Sequence, residues 1–178
     1  MTDRQLPHDS YITAVCDALT AANLNLTDHC WTDDGETRGT YCYLNAVITL
    51  DPSGTIAADE QPDGGADWPH GLLLIWEWHT GIEAEQGEPA RGPQWSFAEL
   101  KADGSNEYPT DLPVYGYASP AAIVDAARKV ISREIQPGPP QGYGQWRGWD
   151  GGIIGDSWDR ADELEAACNA WGAEEASA

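Results

Sequence analysis

Apolar residues recur at helical spacing in two segments, and this pattern predicts helices over residues 10–22 and 119–134. Either Asp9 or Ser10 can cap the first helix. Ser119 can cap the second, where the proline that follows it suits the first helical turn. The apolar stripes are Tyr11, Ile12, Val15, Leu19 and Ala22 in the first helix and Ile123, Val124, Ala127, Val130 and Ile131 in the second.

Residues 40–50 are rich in β-branched and aromatic side chains, which predicts a strand. Residues 33–35, Asp-Asp-Gly, are typical of a turn, so this strand is expected to pair antiparallel with the segment before the turn. Further strands are predicted over 71–80, 82–85 and 94–100. Because these strands are short and follow one another along the chain, they are expected to form a meander.

The strand over 71–80 begins as a continuous apolar run and ends in alternation. This pattern is typical of a central strand whose first half is buried on both faces. Together with the stripe of the second helix, it places four residues in the expected core, namely Leu73, Ile75, Val124 and Ile131.

Two segments lack apolar periodicity. Residues 51–69 are dominated by Pro, Gly, Asp and Ala and predict a long loop, and residues 137–155 predict a linker rich in Gly and Pro. Asp156 then caps a last helix that is expected to end at Gly172. The apolar face of this helix consists of Trp158, Ala161, Leu164, Cys168 and Trp171.

These elements predict an α+β fold, in which an antiparallel sheet of four or five strands packs against two helices. Residues 1–136 are expected to form this domain. Residues 137–178 supply the linker and the C-terminal helix, which is expected to dock on the same domain. A chain of 178 residues suits a single core of this kind.

Thirty acidic residues against nine basic ones give the chain a formal net charge of -21. Such a chain repels nucleic acids and anionic membranes, because affinity for DNA comes largely from Lys and Arg that neutralise phosphates. The expected partner is therefore a basic protein, with nucleic-acid-binding proteins among the candidates. The carboxylates are dispersed rather than in blocks, so a general acidity of the host's proteins stays open as an alternative explanation.

Residues 1–7 lack the apolar segment of a signal peptide, and no apolar run is long enough to span a bilayer. A cytoplasmic location is therefore expected, where the four cysteines would be reduced. Cys16 and Cys168 lie on apolar helical faces and are expected in the core. Cys30 and Cys42 flank a polar stretch, so a pairing between them across a hairpin is the alternative to free thiols.

Two features of the middle of the chain resemble a family of small actinobacterial proteins of unknown function. One is the strand that ends in Trp-Glu-Trp-His-Thr-Gly over residues 76–81, and the other is the proline-started helix over residues 119–131. The resemblance covers residues 10–131 and implies an opening helix, a strand with an acidic tryptophan hairpin and a closing helix. It implies no chemistry, and it does not account for residues 51–69 or for the extension after Ile135.

No pattern of residues points to a particular reaction. The available metal ligands, His29, Cys30, Cys42, His70 and His79, include no Cys-x-x-Cys or His-x-x-x-His pair, so no metal or other cofactor is expected. The chain has no Gly-x-Ser-x-Gly motif and no phosphate-binding loop, and its acidity opposes thiolate formation. Nine tryptophans keep open an enzyme or a carbohydrate-binding domain with a Trp-lined cleft, but no carboxylate pair stands out as catalytic.

The sequence thus predicts a non-catalytic protein that occupies a basic surface of a partner. One form of this hypothesis is a DNA mimic from a phage or mobile element, whose carboxylates imitate phosphates and block a nuclease, repressor or defence complex. An accessory structural subunit is a further alternative. The expected binding residues lie in the C-terminal part: the aromatic anchors Tyr143, Trp146, Trp149 and Trp158, and the carboxylates Asp156, Asp159 and Glu163.

Overall fold

A computed structural model of the protein describes residues 6–22, 24, 26, 31–37, 40–50, 71–79, 91–101, 103, 105, 106, 109–131, 134, 135 and 154–174. At residues 31, 33–37, 40–42, 91, 92 and 171–174 it describes the backbone alone. The predicted loop over 51–69 and the predicted strand over 82–85 lie outside these residues, as do Tyr143, Trp146 and Trp149 of the linker.

Five strands form one antiparallel sheet in which each strand pairs with the next along the chain. The strands are β1 (Trp31–Thr37), β2 (Thr40–Leu50), β3 (Leu72–His79), β4 (Arg91–Glu99) and β5 (Thr110–Asp111). The predicted α+β fold and its meander are therefore confirmed. The fourth strand begins three residues earlier than predicted and ends one residue earlier.

The expected turn over residues 33–35 is wrong, because these residues lie within β1. Asp33 pairs with Asn45 and Gly35 pairs with Tyr43, and a bulge between Gly35 and Glu36 shifts the register. The chain reverses later, between Thr37 and Thr40, which are themselves paired. Turn-forming residues thus lie within an edge strand, where a β-bulge accommodates the irregular backbone.

Three helices accompany the sheet, namely α1 (Asp9–Ala21), α2 (Pro120–Ile131) and α3 (Ala161–Glu174). Ser119 caps α2 as predicted, since its hydroxyl oxygen accepts a hydrogen bond of 3.2 Å from the amide of Ala122. This helix ends at Ile131, three residues before the predicted end. The last helix begins five residues after Asp156 and continues past Gly172, so both of its predicted ends are wrong.

The capping of α1 also differs from the prediction. His8 occupies the cap position and makes no capping hydrogen bond with its side chain. The carboxylate of Asp9 instead accepts hydrogen bonds from the amide of Leu6 at 2.7 Å and from the hydroxyl of Thr32 in β1. The start of α1 is therefore fixed by a contact with the sheet.

One face of the sheet packs against the helices and forms the core. Along β3 the burial alternates strictly, with Leu72, Leu74, Trp76 and Trp78 buried and the residues between them partly exposed. The expected burial of Val124 and Ile131 is confirmed, whereas Leu73 and Ile75 lie on the other face and are only half-buried. The continuous apolar run predicts burial of the first half of the strand on both faces, but only one face of β3 belongs to the core.

Adjacent leucines of β3 give a direct test of this orientation. Leu74→Ala is expected to lower the free energy of unfolding by about 2–5 kcal/mol, because Leu74 is fully buried and its truncation leaves a cavity. Leu73→Ala removes the same atoms from a half-buried side chain and should cost clearly less. Urea denaturation of both variants measures the difference, and equal losses or a reversed order would contradict the assigned faces.

Candidate functional site

The segment over residues 154–158 is attached to the segment over residues 113–119 through main-chain hydrogen bonds. The amides of Ile154 and Trp158 donate to the carbonyl oxygens of Pro113 and Tyr117, both at 2.6 Å. The amide of Ser119 donates to the carbonyl oxygen of Asp156 at 2.8 Å. These bonds fix the position of the polar residues that begin the C-terminal part of the described chain.

Gly155 makes this attachment possible. Its φ of +71° lies in the left-handed region, and a Cβ at this position would overlap the Cβ of Ala122 in α2. A glycine is therefore required for the segment to approach the helix this closely.

Five carboxylate side chains project from this segment and from the first turns of α3. All five are exposed, and we refer to them as the acidic surface, which consists of Asp156, Asp159, Asp162, Glu163 and Glu165. The three carboxylates predicted from the sequence are among them. One cation lies within the group, since Nε of Arg160 donates to Oε2 of Glu163 at 3.0 Å. Because both side chains are more than half exposed, this ion pair contributes little to stability.

Two of these carboxylates also have a structural explanation. Asp162 and Glu163 lie in the first turn of α3, where a negative charge interacts favourably with the helix dipole. Asp156 and Asp159 precede the helix and lie outside its first turn. They are therefore the more informative positions for a test of binding.

The predicted aromatic anchor Trp158 is part of the core. Its residue is only 9% exposed, its ring centroid lies 5.0 Å from that of Tyr11, and the guanidinium of Arg160 covers it at 5.2 Å. Little of this ring is available to a partner. The other three predicted anchors lie outside the described part of the chain, so the structure brings together the carboxylates of the predicted site without its aromatic residues.

Tyr115 is a site residue that the sequence did not predict. It is 48% exposed, and among the described residues it is the one large hydrophobic residue at the surface. It belongs to a turn in which the amide of Ala118 donates to its carbonyl oxygen at 3.1 Å. Both flanks of that turn bond to residues 154–158, so the main chain of the turn adjoins the segment on which the acidic surface begins. The Pro-Val-Tyr-Gly-Tyr run is a turn signal that could have indicated exposure.

The turn that carries Tyr115 is held rigidly against the sheet. The indole nitrogen of Trp76 donates to the carbonyl oxygen of Gly116 at 2.7 Å. A Cβ on Gly116 would overlap the carbonyl group of Pro93 in β4, so this position also requires glycine. A rigid turn favours binding, because little side-chain and loop entropy is lost when a partner docks.

Tyr11 lies beneath this region and connects its parts. Its hydroxyl donates to the carbonyl oxygen of Ala118 at 2.6 Å and accepts a hydrogen bond of 3.0 Å from the indole of Trp95. Its ring contacts Trp76, Trp95 and Trp158 at centroid distances of 5.0–6.3 Å. Burial raises the pKa of this phenol well above its usual range, and the residue therefore acts as a neutral hydrogen-bonding group.

The free thiol of Cys168 is poorly suited to catalysis. Burial raises its pKa to about 12, although the hydroxyl of Tyr117 donates to the sulfur. Burial, and next the neighbouring Cys168, raise the pKa of Tyr117 itself. Since the thiolate is the nucleophile, this raised pKa disfavours nucleophilic chemistry at Cys168 at neutral pH. Among the residues that the structure describes, no group of three or more His, Cys, Asp and Glu side chains is placed to hold a metal ion.

The expectation of four reduced cysteines is wrong, because Cys16 is disulfide-bonded. Cys168 is free. The alternative pairing of Cys30 with Cys42 lies outside the side chains that the structure describes. The predicted burial of Cys16 and Cys168 is confirmed. An apolar helical face is typical both of a free buried thiol and of a buried disulfide-bonded cysteine, so this pattern alone could not predict the disulfide.

Comparison with known proteins finds no family model, no curated protein and no solved structure that matches this chain. In the described part of the chain, no helix has the length and apolar character needed to cross a membrane.

Loss of the hydroxyl in Tyr11→Phe should lower the free energy of unfolding by about 1–3 kcal/mol, because two buried partners lose their hydrogen bond. Tyr115→Phe is the matched control and should change it by less than about 0.5 kcal/mol, since Tyr115 is exposed. Urea denaturation at neutral pH measures both variants. Equal losses of unfolding free energy in the two variants would show that the hydrogen bonds of the Tyr11 hydroxyl do not stabilise the core.

The raised pKa values of Tyr11, Tyr117 and Cys168 predict a loss of stability in alkali. The folded protein keeps these protons at pH values at which the unfolded chain releases them. Stability is therefore complete below about pH 9 and falls as the pH rises above 9–10, where free thiols and phenols ionise. Urea midpoints between pH 8 and 11 should fall, and less steeply in Tyr11→Phe. A midpoint that stays flat over this range would contradict the burial of these groups.

Proposed function

We propose that the protein is a non-catalytic binding module whose acidic surface occupies a basic surface of a partner protein. The observation that carries this proposal is a set of exposed carboxylates that begins on a segment whose main chain is bonded to both flanks of the turn with the exposed Tyr115. A surface of this kind can bind without rearranging its backbone. It offers charge and an aromatic group together, which are the two features that a basic partner site recognises.

The two features contribute to different steps of binding. The net charge of -21 attracts a basic partner over distances of about a Debye length and accelerates association. The half-exposed ring of Tyr115 can contact apolar groups or stack on an arginine, and such contacts slow dissociation. Tyr115 therefore replaces Trp158 as the aromatic anchor in this proposal.

The narrower proposal is that the protein is a DNA mimic, which competes with nucleic acid for its partner. A phage or mobile element would be the source of such an inhibitor. Support for it comes from the charge and from the cluster of carboxylates on one rigid segment. The expected cytoplasmic location and the resemblance to actinobacterial proteins remain predictions. The disulfide of Cys16 counts against the first of these, because disulfides are rare in the cytosol.

The alternative of an enzyme or carbohydrate-binding domain with a Trp-lined cleft finds less support. A sugar-binding site needs exposed indole faces, but Trp76, Trp78, Trp95 and Trp158 are all less than a tenth exposed. These are the tryptophans whose side chains the structure describes. They build the core, and a cleft would have to use other residues.

Two charge-reversal variants with equal changes in net charge test the proposal. Asp156→Lys combined with Asp159→Lys alters the acidic surface, and Asp17→Lys combined with Asp125→Lys alters exposed positions on α1 and α2. The partner is first captured from a native host lysate with the tagged full-length protein and eluted with rising salt. Surface plasmon resonance then measures both variants, and the first should associate on the order of tenfold more slowly than the second.

Equal rates for the two variants would show that the effect comes from overall acidity and not from this surface. Binding that does not weaken with salt would overturn the electrostatic mechanism altogether. Tyr115→Ala is expected to accelerate dissociation while the association rate stays close to wild type. For the DNA-mimic form, duplex DNA must compete with the protein for the captured partner, and simultaneous binding of both would exclude it.

A further inference from the structure

Arg160 makes two contacts at once at the start of α3. Its guanidinium carbon lies 5.2 Å from the ring centroid of Trp158, and its Nε donates to Oε2 of Glu163 at 3.0 Å. Stacking on an aromatic face and a hydrogen bond to a carboxylate are two interactions by which proteins recognise arginine. Trp158 and Glu163 therefore already hold a guanidinium in the free protein, and this guanidinium belongs to the chain itself.

The main chain of both residues that hold the guanidinium is fixed by the fold. The amide of Trp158 donates to the carbonyl oxygen of Tyr117 at 2.6 Å, and the ring of Trp158 packs against Tyr11 at a centroid distance of 5.0 Å. Glu163 belongs to the first turn of α3. Because the aromatic face and the start of the carboxylate side chain are held in place, a ligand that binds between them orders few further groups.

The side chain of Arg160 is held weakly by comparison. It is 54% exposed and the side chain of Glu163 is 69% exposed, so water screens their ion pair and the pair contributes little to stability. A cation–π contact of an exposed arginine is also weak. The guanidinium can therefore leave at small cost, while the main chain stays in place because the carbonyl oxygen of Arg160 accepts a hydrogen bond of 3.0 Å from the amide of Leu164.

Departure of the guanidinium would uncover a site of complementary charge. Trp158 is only 9% exposed while Arg160 covers its ring. Arg160 lies among the five carboxylates of the acidic surface, and its neighbours Asp159 and Asp162 are both exposed. The surface is thus negative even with Arg160 in place, and it attracts a second cation to the position that Arg160 occupies.

We propose that Trp158 and Glu163 form a binding site for an arginine side chain of the partner, and that Arg160 occupies this site until the partner displaces it. This inference rests on the proposed function, because it names the residue by which a basic partner engages the acidic surface. Arginine is favoured over lysine, since a planar guanidinium can stack on the indole and bond to the carboxylate together, whereas an ammonium is a strongly hydrated point charge. Arg160 thus competes with the partner and lowers its affinity.

Binding of fluorescently labelled hexa-arginine and hexa-lysine peptides, measured by anisotropy, tests the site. General acidity attracts both peptides, so the ratio of their dissociation constants reports the preference for arginine. Arg160→Ala vacates the site and should shift this ratio toward hexa-arginine on the order of threefold relative to wild type. Arg128→Ala is the matched control and should keep the wild-type ratio, because it removes an exposed arginine from α2 with the same change in net charge.

Two double variants show whether the carboxylate takes part. Glu163→Gln added to Arg160→Ala should abolish the shift, because the hydrogen-bonding carboxylate is lost. Asp125→Asn added to Arg160→Ala removes an equal charge from an exposed position on α2 and should retain the shift. An unchanged ratio in Arg160→Ala, or a shift that survives Glu163→Gln, would overturn the arginine site.

The same variants are then compared on the captured partner. Arg160→Ala should bind it more tightly than Arg128→Ala does, and equal affinities would overturn the role of Arg160 as a competitor. Arg160→Ala is expected to keep the Tm within about 3 °C of wild type, because the side chain is exposed. If it does not fold, Arg160→Gln gives the same peptide comparison, and an unchanged ratio in that variant is equally decisive.

This inference and the proposed function fail in different measurements. Partner binding that is insensitive to Asp156→Lys combined with Asp159→Lys would overturn the proposed function and leave the peptide ratio of Arg160→Ala unaffected. An unchanged peptide ratio would remove the arginine site and leave the acidic surface as a binding surface.

Discussion

The buried hydroxyl of Tyr11 is the contact on which the rest of this structure depends. It joins α1 to β4 through Trp95 and to the segment before α2 through Ala118. That segment carries the exposed Tyr115 and provides the main-chain partners of residues 154–158. One hydroxyl group inside the core therefore links the sheet to the segment against which the acidic surface is held.

Much of the fold could be predicted because its elements repeat apolar residues at the period of their structure. The alternation in β2 is typical of a strand and the apolar stripe of α2 is typical of a helix, so the type of each element is clear. The Ser119 cap marks the start of that helix. The faces of β3 could not be predicted, since a run of apolar residues has no period. Which face is buried depends on helices that lie far away in the sequence.

The sequence predicted the carboxylates of the candidate site, but it did not predict its exposed aromatic residue. Asp156, Asp159 and Glu163 are exposed, as carboxylates nearly always are. Tryptophan is a common anchor residue, but Trp158 is buried, because the main-chain bonds of residues 154–158 place its ring against Tyr11. Tyr115 lies at the surface because Gly116 and Trp76 fix its turn, and no local pattern encodes that long-range contact.

The main-chain attachment of residues 154–158 has an evolutionary consequence. Because amides and carbonyl oxygens make these bonds, the side chains of Asp156 and Ser157 can change without loss of the attachment, whereas Gly155 cannot. Mutations that alter the surface charge are then largely neutral for stability and are available to selection. A lineage could retarget this surface to a new partner in single steps, each of which leaves the fold intact.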